Sequence, residues 1–121
     1  MAENEYKDNE KVLHRAKCKL KLPHKEPEEA ECFVTEGQVI IEAGATIKIP
    51  ISRIKHVEEY SNIGFLQYVG RSVMSQGGLK GAVTLTFLDE QDKKQELSLE
   101  MAVIDSGYFK TELDNQLAGR R

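Results

Sequence analysis

Alternation of apolar and polar residues along the chain predicts a protein built mainly from β-strands. Residues 12–22 read VLHRAKCKLKL, and in the second half of this run basic and apolar side chains alternate strictly. A period of two is typical of a strand with one buried face and one solvated face. Pro23 ends this first strand. Further strands are predicted, in chain order, in AECFVT, QVIIE, TIKIPISRI, HVEEY, AVTLTFL and QELSLEM.

The period changes near the C-terminus, where one amphipathic helix is predicted. Phe109, Leu113 and Leu117 are spaced by four residues, and Tyr108 borders the same stripe. A helix with one apolar stripe must pack on a hydrophobic surface, so we expect it to cover the open end of a small β-barrel. The candidate ends are Asp105 or Ser106, either of which can cap the beginning, and Gly119, where the helix is expected to end.

These elements predict a mainly β domain, a partly open antiparallel barrel of six or seven strands capped by one C-terminal α-helix. Residues 1–11 contain four acidic residues and almost nothing to bury, so they are expected to form a disordered N-terminal tail. The domain itself is expected to span residues 12–119. Residues 61–81 show no clear period and are expected to contain a long flexible loop.

Composition narrows the class of protein further. The length of 121 residues corresponds to one domain, and 40% hydrophobic with 31% charged residues is typical of a globular chain. Seventeen basic and 20 acidic residues give a net charge of −3, so attraction of the whole molecule to nucleic acid is not expected. No apolar run approaches the roughly 18 residues of a membrane span, and the N-terminus does not resemble a signal peptide. We expect a cytoplasmic protein, at most peripheral to a membrane.

Residues that commonly carry chemistry are scattered. Cys18 and Cys32 both fall in predicted strands, and two outcomes stay open: free, partly buried thiols, or a disulfide between neighbouring antiparallel strands. His14, His24 and His56 have neither the spacing nor the partners of a helical metal site. We therefore predict a non-enzymatic protein without catalytic residues, metal site or cofactor.

One stretch resembles a known family. Residues 32–58, CFVTEGQVIIEAGATIKIPISRIKHVE, are similar to the core of GRAM and bacterial pleckstrin-homology-like (PH-like) domains. The resemblance implies a PH-like barrel in which the terminal helix plugs the open end, and a family whose members bind lipids, peptides or proteins. The matching residues are Val34-Thr35 with Val39, Ile40 and Ile41, then Ile49-Pro50-Ile51 with Ile54, Val57 and Glu58.

Basic residues are concentrated in the first predicted strand and the connection after it. Lipid-binding PH domains hold a phosphorylated headgroup in this region, so the resemblance implies an anion or lipid site here. Two other interpretations stay open: a solvated face whose cations pair with glutamates of the next strand, and a site for an acidic protein. The four glutamates within residues 26–31 would repel a phosphate. The candidates are Arg15, Lys17, Lys19, Lys21, His24 and Lys25.

Protein–protein interaction is the leading functional expectation, either with a peptide or through self-association. Edge strands of such barrels accept an added strand, and Pro50, which has no N–H, indicates where pairing stops. The predicted loop offers an apolar contact surface, or else packs on the core as an ordinary strand and loop. Weak binding of anionic membrane lipid or another polyanion through the basic strand is the alternative function. The candidate contact residues are Phe65, Leu66, Tyr68, Val69, Val73 and Met74.

Overall fold

The computed structural model describes residues 5–61 and 80–119, which form eight β-strands and one long helix. The helix α1 spans Val103–Ala118, and a short 3-10 turn spans Ile51–Arg53. The strands are β1 (Tyr6–Lys7), β2 (Glu10–Lys21), β3 (Glu28–Thr35), β4 (Gln38–Glu42), β5 (Thr46–Pro50), β6 (Ile54–Ser61), β7 (Lys80–Leu88) and β8 (Lys94–Ala102).

All pairings in the sheet are antiparallel, and the strand order is β5-β4-β3-β2-β8-β7-β6. β1 lies off this path and pairs with β2 alone. The mainly β architecture with a C-terminal helix confirms the sequence prediction, and the sheet formed by the described strands is not closed. Two meanders, β2–β5 and β6–β8, are joined through three residue pairs, in which Lys19–Lys21 of β2 face Ser98–Glu100 of β8.

The main core lies on the inner side of this curved sheet and is covered by α1. Alternating side chains of every long strand point inward, as the period of two predicted. Phe109 and Leu113 of α1 are fully buried against them, and Leu117 packs at the margin. Tyr108, which borders the apolar stripe in the sequence, is 57% exposed. The helix therefore covers the inner face of an open sheet, whereas the sequence predicted a cover for the end of a barrel, and its buried stripe is narrower than expected.

The beginning of α1 differs from the prediction, whereas its end agrees. The helix starts at Val103 without a side-chain cap, so neither Asp105 nor Ser106 is the capping residue. Ser106 is instead buried inside the first turns, with its Oγ 2.8 Å from the Val103 carbonyl oxygen and 2.9 Å from Glu59 Oε2. The Ser106 hydroxyl, predicted as a possible helix cap, thus bonds Glu59 of β6 instead. Gly119 follows the last helical residue, as predicted.

Residues 5–11, assigned by the sequence to a disordered tail, contain β1 and the beginning of β2. Asp8 and Asn9 form the turn between these strands, both with positive φ, a conformation that Asp and Asn tolerate well. We call residues 5–12 the N-terminal hairpin. The hairpin lies over Phe33, a fully buried side chain on the outer side of β3. This contact with another strand is a reason for its order that its own sequence does not show.

Candidate functional site

The basic stripe exists as a surface feature of β2. Arg15, Lys17, Lys19 and Lys21 are all exposed and lie on the outer side of the sheet. Because alternate residues of a strand are about 6.8 Å apart, these four side chains extend over about 20 Å. The structure does not extend the stripe to the other two candidates: His24 and Lys25 are exposed in the connection between β2 and β3, where His24 has a φ of 66°.

Carboxylates face this stripe from both neighbouring strands. The register places Lys17 opposite Glu31, and Lys19 opposite Glu29 on β3 and Glu100 on β8. Directly opposite residues share one face of a sheet, so each cation has a carboxylate beside it.

Direct ion pairs complete this arrangement at the two ends of the stripe. Arg15 donates to Glu31 at 2.6 Å and to Glu5 at 2.8 Å, and Lys21 Nζ lies 3.2 Å from Glu100 Oε2. The hydrogen bond to Glu31, followed by the one to Glu5, raises the pKa of Arg15. Each of the four cations on this face therefore has a carboxylate opposite it or in an ion pair with it.

A different feature stands out at the end of the sheet. Within the described residues β5 pairs with β4 alone, so its other edge is open. The Ile51 N–H donates to the Gly37 carbonyl oxygen at 3.0 Å, on the β4 side. Main-chain groups of successive residues point to opposite edges of a strand, so Ile49 also faces β4 while Lys48 faces away. Pro50, which cannot donate, agrees with this parity. The N–H and C=O of Lys48 consequently lie on the open edge.

A groove of about 490 Å³ runs beside this edge. One wall is the end of β5, and the other is formed by Phe87, Leu88 and the turn that follows β7. Apolar surface from Ile49, Pro50 and Phe87 lies next to the polar main chain of the open edge. The groove occupies the gap between β5 and the second meander, where the sheet fails to close.

Polar contacts fix the rim of the groove. The Asp89 carboxylate accepts hydrogen bonds from the main-chain N–H groups of Lys93 at 2.9 Å and Gln91 at 2.8 Å, and from the Gln95 side chain at 2.8 Å. These bonds, that of Lys93 first, hold the pKa of Asp89 below its usual value. Arg53 pairs with Asp92 across the base of the turn. These contacts tie the β7–β8 turn to its own main chain and to Arg53.

Other candidate chemistry gains little from the fold. The ring of His14 packs 5.9 Å from that of Tyr108, and its Nε2 lies 3.6 Å from Asp105 Oδ1. His56 is exposed beside Glu58. In residues 5–61 and 80–119 no group of three or more His, Cys, Asp or Glu side chains could hold a metal ion. No helix in these ranges combines the length and apolar character needed to cross a membrane.

Sequence reasoning placed the basic stripe on the surface but did not identify the groove. Its walls come from β5 and the β7–β8 turn, which are far apart in sequence, and Pro50 was the one local signal. The six apolar contact candidates within residues 65–74 lie outside the described residues. Comparison of the sequence with protein-family models and with curated proteins gives no match.

Proposed function

We propose that this chain is a non-enzymatic binding module with a PH-like fold that binds an extended peptide by adding it as a strand beside β5. The observation that carries the proposal is the open β5 edge with an apolar groove along it. Strand addition derives its affinity from main-chain hydrogen bonds and its selectivity from pockets for alternate side chains, and this edge offers both.

The dimensions suit a short segment. β5 has five residues, which corresponds to about 17 Å of extended chain. Lys48 supplies an outward N–H and C=O in the middle of that length. The inward-pointing side chains of an added strand would lie on the same face as Ile49 and Phe87, so we expect apolar residues at alternate positions of the peptide.

The PH-like part of the proposal is supported by two features together. The sequence of residues 32–58 resembles GRAM and PH-like domains, and these residues form β3, β4 and β5 with the beginning of β6. The second feature is the antiparallel sheet that stays open and has its core covered by a C-terminal helix.

Binding of anionic lipid through the basic stripe is the weaker alternative. Four cations on the outer face of β2 stand among Glu5, Glu29, Glu31 and Glu100. A membrane surface would have to displace these local pairs while gaining about 1 kcal/mol per basic residue. Because the cations of β2 already stand among carboxylates, we favour peptide binding at the β5 edge over lipid binding at β2.

The test compares Lys48→Pro with Lys48→Ala. Proline removes the outward N–H but leaves the β4 side of the strand intact, whereas alanine removes only the side chain. A library of random 12-residue peptides displayed on phage is selected on the immobilised full chain. Selected peptides are then synthesised and titrated against both variants by calorimetry, with thermal unfolding to verify the fold.

We expect Lys48→Pro to weaken peptide binding at least about tenfold and Lys48→Ala to bind almost normally. Amide hydrogen exchange gives an independent readout, because the Lys48 amide should exchange rapidly in the free protein and slowly in the complex. Equal binding by both variants would overturn strand addition at β5. Vesicles with and without anionic lipid form the parallel arm, and sedimentation with anionic vesicles at physiological salt would favour the lipid alternative.

A further inference from the structure

The two cysteines lie next to each other in the core, although they are 14 residues apart in sequence. They belong to adjacent strands and point to the same inner face: Ala16 is opposite Cys32, and Cys18 is opposite Ala30. Cys18 and Cys32 are therefore diagonal neighbours. Both thiols are free, with residue exposures of 4% and 0%. The arrangement places a dithiol beneath the first two long strands.

The two thiols differ in access. Cys18 contributes to the wall of a small cavity of about 190 Å³, which lies where the ladder between β2 and β8 ends. Lys17, Lys19 and Glu29 form its polar side, and Met101 forms part of its apolar side. Cys32 is not part of this wall. A small solute that enters the cavity therefore meets the residue Cys18 and not Cys32.

The two thiols also differ in acidity, in the same sense as their access. A hydrogen bond from the Cys32 thiol lowers the pKa of Cys18 against the opposing effect of burial. The same interaction and burial raise the pKa of Cys32. The Cys32 Sγ also lies 3.5 Å from the Ala16 carbonyl oxygen, a second acceptor for its proton. Because Cys18 also borders the cavity and thiolate is the reactive form, Cys18 is the thiol expected to react first.

We propose that Cys18 and Cys32 are a modification site for small hydroperoxides, in which Cys18 is oxidised first and Cys32 resolves the product as a disulfide. In the first step the Cys18 thiolate attacks one oxygen of hydrogen peroxide, the O–O bond breaks, and sulfenic acid and hydroxide form. In the second step the Cys32 sulfur attacks the Cys18 sulfur, and water leaves with the Cys32 proton. Overall the dithiol loses two electrons and two protons, which is two hydrogens in mass, and one hydrogen peroxide becomes two waters.

The disulfide requires a small adjustment of the strands. Diagonal neighbours in an antiparallel pair have Cα atoms about 7–8 Å apart, whereas disulfides span about 4.4–6.8 Å. The crosslink therefore draws β2 and β3 slightly together, and a strained crosslink is easily reduced. We expect the modification to be reversed by dithiothreitol.

The experiment treats the full, folded chain with hydrogen peroxide and follows intact mass with time. Wild type should lose two hydrogens without dimerising, and peptide mapping should join the fragments that carry Cys18 and Cys32. Cys32→Ala should gain one oxygen at Cys18, trapped by a dione reagent specific for sulfenic acid. Cys18→Ala should react at least about tenfold more slowly than Cys32→Ala.

Because both sites are buried, Cys→Ser variants serve as a second pair, and thermal unfolding selects the folded ones. The site is excluded if wild type stays unmodified while the urea-unfolded chain is crosslinked, or if the two single variants react at equal rates. Crosslinking between two chains in place of the internal disulfide would overturn the proposal as well.

Discussion

The sheet buries apolar side chains on both of its faces, and a different element of the chain covers each face. On the inner face, α1 lays Phe109 and Leu113 onto the core, so apolar surface meets apolar surface. On the outer face, Phe33 of β3 and Ile40 of β4 stand directly opposite each other and are equally buried. The segment that lies over Phe33 is the N-terminal hairpin, which is mostly polar.

Charged side chains form the contact surface over Phe33 in this outer cover, which is the N-terminal hairpin together with the neighbouring Arg15. Lys7 Nζ lies 4.5 Å above the centre of the Phe33 ring, and the Arg15 guanidinium lies 5.6 Å from it. The alkyl stems of such residues exclude water while their charges reach partners at the rim. Those partners hold the hairpin in place through Lys7–Glu42, Lys48–Asp8 and Thr35–Glu10. A polar segment can therefore cover an aromatic ring where the surrounding sheet supplies matching charges.

Removal of the inner cover should have the largest effect. A chain that lacks residues 108–121 loses Phe109 and Leu113, and we expect it to be insoluble or to lack a cooperative urea transition. Each of these buried side chains contributes about 1.5–3 kcal/mol, and the loss exposes the core beneath them. Tyr108→Ala in the full chain is the control and should unfold almost like wild type. A cooperatively unfolding truncated chain would contradict the role of α1.

Removal of the outer cover should have a smaller effect. Deletion of residues 1–9 exposes part of the outer face but leaves the inner core intact, so we expect cooperative unfolding with about 1–3 kcal/mol less stability. The matched control is the same deletion in Phe33→Ser, where the aromatic ring beneath the hairpin is absent. The deletion should cost less in that background, as measured by urea denaturation. Equal costs in both backgrounds would show that the hairpin does not stabilise through Phe33.

The smallest effect is expected from one tether of the outer cover. Hydrogen bonds from Lys48, foremost, and Gln38 lower the pKa of Asp8 from its ordinary value of 3.8. A lowered pKa in the folded state means that the ionised carboxylate stabilises above pH 3.8, and that this contribution disappears as the pH falls through the folded-state pKa.

Asp8→Asn should therefore lower the melting temperature slightly at neutral pH and leave it almost unchanged in strong acid, as followed by circular dichroism. Glu90→Gln, on the exposed β7–β8 turn, is the control for loss of one surface carboxylate. A deficit in Asp8→Asn that persists in acid would mean that the tether does not depend on the charge.

The difference between the two covers also explains which parts of the fold sequence patterns could predict. Alternation identified the inner face, and the spacing of Phe109, Leu113 and Leu117 identified the helix, because both signals are local. Phe33 lies in the polar phase of its strand, after Glu29 and Glu31, so alternation alone does not identify it as a buried residue. The three consecutive apolar residues 39–41 were the available signal, since such a run indicates a strand buried on both faces.

The two candidate sites also differ in how far the sequence could reveal them. The stripe on β2 was visible in the sequence, and pairing with glutamates of the next strand was one of its open interpretations. Glu100 could not have been identified as a partner of Lys21, because the two are separated by 79 residues and meet through strand pairing. The groove depends on how far the sheet curls, which no local pattern encodes.

The ladder between β2 and β8 has a consequence for the order of folding. It joins segments some 79 residues apart, so a long loop must close to form only three residue pairs. Most hairpins within the two meanders have short connections, so closing them costs little loop entropy; the exception is β6–β7, whose strands are separated by residues 62–79. We expect the two meanders to nucleate separately, with their union along β2 and β8 and the docking of α1 limiting the rate. Until that step, the thiol of Cys18 and the edge of β2 that will pair with β8 stand open to solvent.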